Sequence, residues 1–127
     1  MIKGIGTDIV RVERIERALA RNPEAFSRRV LHPNELEIFI HHQQPCAYLA
    51  KRFAAKEALS KALGTGIAKG VSFQEIEVKN DALGRPLLEL HKHTKAIADS
   101  MGVVTSFLTL ADEKHYAIAY VVLEGEE

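Results

Sequence analysis

By type and spacing, Asp8, Glu57 and Lys61 are the residues of this chain best suited to phosphate chemistry. A pair of carboxylates is the donor set that a hard divalent ion such as Mg2+ takes, with phosphate oxygens and water completing its shell. Lys61 follows Glu57 by four residues, so on a helix the ammonium lies one turn from the carboxylate. Gly64-Thr65-Gly66 comes directly after, and backbone without a Cβ lets N–H groups approach a phosphate closely. Arg52 and Lys56 add charge for a polyanionic ligand.

Each feature also has a plainer reading. Asp8 alone is a helix N-cap, Glu57 with Lys61 an exposed ion pair, and Gly64-Thr65-Gly66 a helix stop. The neighbours of Glu57 argue for more. Phe53, Ala54, Ala55, Ala58 and Leu59 predict a largely buried helix, and a buried carboxylate needs a cation, for which Lys61 and Mg2+ serve equally. Nothing in the spacing alone obliges Asp8 to meet Glu57. The familiar nucleotide motifs are excluded: Gly4-Ile5-Gly6 and Gly64-Thr65-Gly66 lack the third glycine of a dinucleotide fingerprint, and Lys69-Gly70 reverses the order a P-loop requires. His41, His42 and Cys46 lack a fourth ligand spaced for zinc, and Ser60 has no recognisable histidine partner for nucleophilic work.

The elements that must position these residues follow from pattern. Residues 2–6 read as a short buried strand, after which Thr7 or Asp8 caps a helix running to Asn22. That helix buries Ile9, Val12, Ile15 and Leu19 and shows Arg14, Arg17 and Arg21 on another face. Pro33 and Pro45 open helices over 33–43 and 45–63, the second closed by Gly64. Strands are expected over 71–78 and 87–90, with turns at Asn80-Asp81 and Gly84-Arg85-Pro86. A helix over 92–101 and a hairpin of 103–110 with 116–123 complete an order of strand, three helices, two strands, helix, two strands. The helices cluster, so the class is α+β, a single domain over 1–127 with a small antiparallel-rich sheet.

Bulk properties restrict partners. Lys plus Arg and Asp plus Glu number 17 each, so no global field draws nucleic acid or an anionic membrane, and neither is expected as a partner. Any electrostatic partner must meet a local patch. Residues 3, 11, 14, 17, 21, 28 and 29 are basic against four acids up to residue 29, which makes a basic ridge the candidate. With one cysteine and no spanning apolar run, the chain reads as cytoplasmic.

Taken together, Gly4-Ile5-Gly6-Thr7-Asp8-Ile9-Val10, Arg52-Phe53-Ala54-Ala55-Lys56-Glu57-Ala58 with Lys61, Gly64-Thr65-Gly66-Ile67 and Gly84-Arg85-Pro86 resemble the short trimeric type of 4′-phosphopantetheinyl transferase, the holo-[acyl-carrier-protein] synthases. The resemblance runs through nearly the whole chain in order. It implies that fold, a homotrimer with sites between neighbouring subunits, and transfer of 4′-phosphopantetheine from coenzyme A to a serine of acyl carrier protein in fatty acid biosynthesis. It further implies Mg2+ on Asp8 and Glu57, with Asp8, Glu57 and Lys61 catalytic. Arg52, Lys61, Gly64, Thr65, Gly66, Arg85 and Pro86 would line the coenzyme A site, and Arg14, Arg21 and Phe26 would dock the acidic carrier protein. The serine proton would go to Glu57 or to a water relayed by a carboxylate. Many members carry Ser-His before the last strand where this chain has Ala111-Asp112, a variation shared with the enterobacterial kind. Two other classes stay open on the residues: a non-catalytic coenzyme A or nucleotide-binding module, and a structural subunit that only grips the carrier.

Overall fold

Pro45 opens and Gly64 closes the longest helix, α4 (Pro45–Leu63), as proline at the first turn and a left-handed glycine at the C-cap require. A computed structural model of the chain describes residues 1–126. Thirteen of the nineteen residues of α4 are buried, so it is a central helix and not an amphipathic cover. Around it the chain runs β1 (Ile2–Arg11), α1 (Val12–Arg21), α2 (Pro23–Val30) and α3 (Pro33–Phe39) before α4. A 3-10 turn (Phe73–Glu75), β2 (Ile76–Asn80), β3 (Pro86–Leu90), α5 (Lys92–Ser100), β4 (Val103–Asp112) and β5 (Tyr116–Gly125) follow. The strands form an antiparallel sheet ordered β1-β5-β4 and a separate β2-β3 hairpin, an α+β architecture.

The sheet lies directly on α4 through its central and edge strands. Ala117, Ala119, Val121 and Leu123 of β5 point inward and are almost fully buried. On β1 the inward positions are Gly4, Gly6, Asp8 and Val10. A Cβ on Gly4 would stand 2.0 Å from the Ala62 carbonyl oxygen, and one on Gly6 2.0 Å from that of Ala58. Strand and helix thus meet backbone to backbone, which only glycine opposite a small-residue helix face permits. The contact also sets what comes next on the strand: Asp8, two residues beyond Gly6, faces the same helix.

The far side of α4 is held by a buried ion pair. Lys56 is fully buried and donates to the Val30 and Phe73 carbonyls at 2.7 and 3.0 Å and to Glu35 Oε1. Glu35 in turn accepts the N–H groups of His32 at 2.9 Å and Val78 at 2.7 Å. Every hydrogen of the ammonium is used, which a buried charge demands. Lys56 therefore anchors α2, α3 and β2 to α4 and is not available to an anionic ligand, correcting the sequence expectation.

Other departures have local causes. β1 continues to Arg11 because each residue from Gly4 onward pairs with β5, so Asp8 is a strand residue and not a helix cap. Ile9 therefore belongs to the strand, on its exposed face, and α1 starts at Val12. A helix not expected from the sequence, α2, begins at Pro23 with the Asn22 side chain accepting from Ala25 N, giving four helices before β2. Helix α3 stops at Phe39, short of 43, and residues 71–75 form loop and 3-10 turn before β2. The β4-β5 hairpin, α5 and α4 match the sequence reading closely. No helix is long and apolar enough to cross a membrane among the described residues.

Replacing Gly6 with Ala forces its methyl group into the Ala58 carbonyl. We expect a loss of about 2–3 kcal/mol, the upper part of the range for overpacking, because backbone and not a flexible side chain must yield. Urea unfolding measures it, and an unchanged midpoint would contradict the backbone-to-backbone contact.

Candidate active site

Asp8 and Lys61 meet across the β1-α4 contact. Lys61 reaches back along its helix, as helical side chains do, to place Nζ 3.1 Å from Asp8 Oδ1 and 3.1 Å from the Thr7 carbonyl oxygen. Glu57 lies one turn earlier on α4. Partial burial pushes its carboxyl above the ordinary value, the negative charge of Asp8 pushes the same way, and Lys61 and Arg14 oppose both. The two carboxylates are thus close enough to repel, and the Lys61 ammonium, bonded to Asp8, offsets part of the charge felt by Glu57. The set is all oxygen on the acidic side, and it fits a hard divalent ion of the Mg2+ kind.

Glu57 also borders a cavity of about 420 Å³ between α1, α2 and α4. Arg14 and Arg29 supply its charge, and Phe26, Phe53 and Ile67 supply apolar wall. The Arg14 guanidinium lies over the Phe53 ring at 5.7 Å, and Phe26 packs 6.3 Å from the same ring. Two residues expected to dock a partner, Arg14 and Phe26, therefore share one concavity with Glu57. Arg21, at the exposed end of α1, is not part of it. Arg29 was counted in the basic ridge but not placed beside Glu57; the signal was its position in the last turn of a helix whose start, Asn22-Pro23, is a capping pattern.

The other expected ligand-binding residues fall elsewhere in the protomer. Arg52 lies nine residues before Lys61, about half a turn around α4 at ~100° per residue. Its guanidinium stacks 4.3 Å over Tyr48 and Nη2 donates to Asn80 Oδ1 at 2.9 Å, while the buried Nε has no partner among the described residues. Asn80 ties this arginine to the β2-β3 turn, where Asn80 Nδ2 donates to the Gly84 carbonyl and Arg85 Nε to Asp81 Oδ2 at 3.1 Å. Pro86 begins β3 opposite Asn80. Arg52, Arg85 and Pro86 thus form a second group, distinct from Asp8, Glu57 and Lys61.

At Gly64-Thr65-Gly66 the structure corrects a rationale. Gly64 N–H donates to the Lys61 carbonyl, and Thr65 and Gly66 N–H both donate to that of Ser60, so these groups close α4 and are not free for a phosphate. What the turn offers is open space: an added Cβ at Gly64 or Gly66 would meet nothing within 4 Å. Ser60 is buried and donates Oγ to the Glu57 carbonyl, which rules it out as a nucleophile. His41, His42 and Cys46 form no ligand cluster among the described residues.

The raised carboxyl of Glu57 has a measurable consequence. A carboxyl held above its ordinary value favours folding while protonated and costs stability as pH rises through the folded value. In EDTA-containing buffer, Glu57→Gln should melt higher than wild type at pH 7, and the gap should close as pH falls toward about 4.5. A lower melting temperature for the variant at pH 7 would mean that burial and the charge of Asp8 do not hold the Glu57 carboxyl above its ordinary value.

Comparison with known proteins gives a consistent result. The model of the 4′-phosphopantetheinyl transferase superfamily matches residues 4–121. A holo-[acyl-carrier-protein] synthase of Vibrio atlanticus is 54% identical over 124 residues, covering 98% of each chain. The crystal structure of the synthase from Neisseria meningitidis superposes with a TM-score of 0.93 at 44% identity, covering 98% of this chain and 99% of that one. That from Bacillus anthracis, solved in complex with coenzyme A, gives 0.83 at 40% identity and 99% coverage of each. The chain belongs to the 4′-phosphopantetheinyl transferase superfamily.

Proposed function

We propose that this chain transfers 4′-phosphopantetheine from coenzyme A to a serine of apo acyl carrier protein, releasing adenosine 3′,5′-bisphosphate. The observation that carries the proposal is the meeting of Asp8, Glu57 and Lys61 beside a cavity with a basic and aromatic lining. Family membership narrows the phosphate chemistry to this reaction. The serine oxygen bonds to the β-phosphorus that bears pantetheine, and the bond from that phosphorus to the bridging oxygen breaks. Glu57, or a water relayed by a carboxylate, takes the serine proton. Lys61 carries positive charge to the departing phosphate. Asp8 and Glu57 would hold Mg2+, which when bound neutralises charge on the pyrophosphate oxygens.

Arg52, Gly64, Thr65, Gly66, Arg85 and Pro86 are proposed to line the coenzyme A site. Arg52, tied through Asn80 to the β2-β3 turn, brings its charge beside Arg85 and Pro86, and the glycines bring room. Because Arg52 and Arg85 group apart from Asp8 within one protomer, the two half-sites are completed by a neighbouring subunit. The sheet supports such an assembly: Ile5, Ile9, Phe107, Ile118 and Tyr120 leave its outer face apolar and each 41–59% exposed. A homotrimer that covers this face in a cytoplasmic setting is the reading we adopt. The carrier protein, being acidic, docks on Arg14 and Arg21 with Phe26 as apolar anchor.

Mass spectrometry of apo carrier protein incubated with coenzyme A, Mg2+ and the chain should show the gain of one phosphopantetheine group. Asp8→Ala should abolish transfer, and Arg14→Glu should raise the carrier KM at low salt. No mass gain with wild type sinks the transferase reading; coenzyme A binding without transfer would make the chain a binding module instead. Phe107→Asp should convert a sedimenting trimer into an inactive monomer. A fully active monomer would show that the site needs no neighbour.

A further inference from the structure

A second cluster of titratable side chains stands apart from Asp8 and Glu57, where the start of α3 meets β2 and the approach to α5. Glu77 on β2 is 3% exposed, and its Oε1 faces His91 Nε2 at 3.0 Å and His32 Nε2 at 3.8 Å. The two imidazole rings stack with centroids 4.8 Å apart. Glu89 Oε2 is 3.5 Å from the same His91 nitrogen. Among the described residues, His32, Glu77 and His91 are the one trio of His, Cys, Asp or Glu that gathers its ligand atoms, all within 4.8 Å.

We propose that His32, Glu77, His91 and Glu89 form a binding site for a divalent transition-metal ion of the zinc kind. Ligands about 2.0–2.1 Å from a tetrahedral ion stand roughly 3.3 Å from one another. Three of the six separations, 3.0, 3.5 and 3.8 Å, bracket that edge, and His32, Glu77 and His91 gather within 4.8 Å, so ligation must draw the imidazole nitrogens and Glu89 inward to complete the shell. Two imidazoles with two carboxylates suit zinc, whereas Mg2+ prefers oxygen and retains its water. The site therefore selects a different ion from the one proposed for Asp8 and Glu57.

The surroundings hold the ligands in place. Asn34 Nδ2 donates to Glu77 Oε2 at 3.1 Å, fixing the carboxylate with Oε1 toward the histidines, the outer-shell support that metal sites use. His91 N–H donates to the Glu75 carbonyl at 2.8 Å and His32 N–H to Glu35 Oε1 at 2.9 Å, so both ligand backbones are anchored. Two contacts must change. His32 Nδ1 accepts the Asn34 N–H at 3.1 Å, which keeps the ring proton on Nε2; ligation moves that proton to Nδ1 and leaves an exposed N–H to water. Glu89 must turn from Lys79, its partner in an exposed ion pair, a contact of little net strength. The bound ion joins the α3 cap, the β2-β3 hairpin and the entry to α5.

The test uses the untagged full chain, stripped with EDTA and dialysed against Zn2+ in excess Mg2+. We expect one equivalent of zinc retained per chain and a higher melting temperature. His91→Gln should weaken retention by about tenfold or more and remove the thermal shift. His32→Asn, which keeps a good helix cap, should weaken retention while leaving the unliganded melting temperature near wild type. Asp8→Ala should retain zinc normally. Zinc that is not retained, that survives both histidine substitutions, or that is lost instead on changing His41 and His42 to Gln would overturn the proposal.

Discussion

The carbonyl oxygens of Ala58 and Ala62 occupy the space where side chains of Gly6 and Gly4 would begin, and much of the molecule follows from that. A strand of ordinary composition would ride on side chains, standing several ångströms farther from α4. Brought into backbone contact, β1 delivers Asp8 to the helix at the level of Glu57 and Lys61. Separation in sequence is then irrelevant, because the strand and the helix are both rigid and their contact is fixed by sterics. The small-residue stripe of α4 is thus a positioning device as much as a packing one.

The same contact creates an electrostatic conflict. Two carboxylates are held near each other on a partly desolvated surface, with Lys61 satisfying Asp8 and offsetting only part of the charge on Glu57. Elsewhere α4 resolves its charges completely: Lys56 and Glu35 use their hydrogen-bonding capacity on one another and on backbone. One helix therefore carries a satisfied buried charge on its inner side and an unsatisfied acidic group beside a cavity. The contrast separates the structural lysine from the acidic site better than burial does.

The α+β class, the bounds of α4 and the β4-β5 hairpin were legible in sequence because each rests on local signals: proline and glycine punctuation, and alternating apolar residues. Asp8 could be singled out in sequence for its chemistry but not as a strand residue, since the pairing that extends β1 to Arg11 comes from β5, more than a hundred residues later. Local propensity saw a cap where long-range pairing made a strand. Lys56 looked like ligand-binding charge for a related reason. Its partner Glu35 is twenty-one residues away on another helix, and no spacing rule links them. The Gly64-Thr65-Gly66 turn was read from composition, yet the direction of its N–H groups depends on how α4 ends, which composition does not specify.

The faces of α4 keep the two groups of candidate ligand-binding residues apart within the protomer. Glu57 and Lys61 project toward β1 and the α1-α2 cavity, whereas Arg52 projects toward Asn80 and the β2-β3 turn. A rigid helix cannot bring residues about half a turn apart onto one small ligand. A polyanion served by both groups must be long enough to reach around α4, which the proposed trimer would ease by setting a neighbouring chain beside the strand that carries Asp8. The apolar outer face of the β1-β5-β4 sheet lies on the reverse of the strand that carries Asp8, so covering it with another subunit places that neighbour beside the acidic site. Assembly and ligand binding would then depend on the same strand.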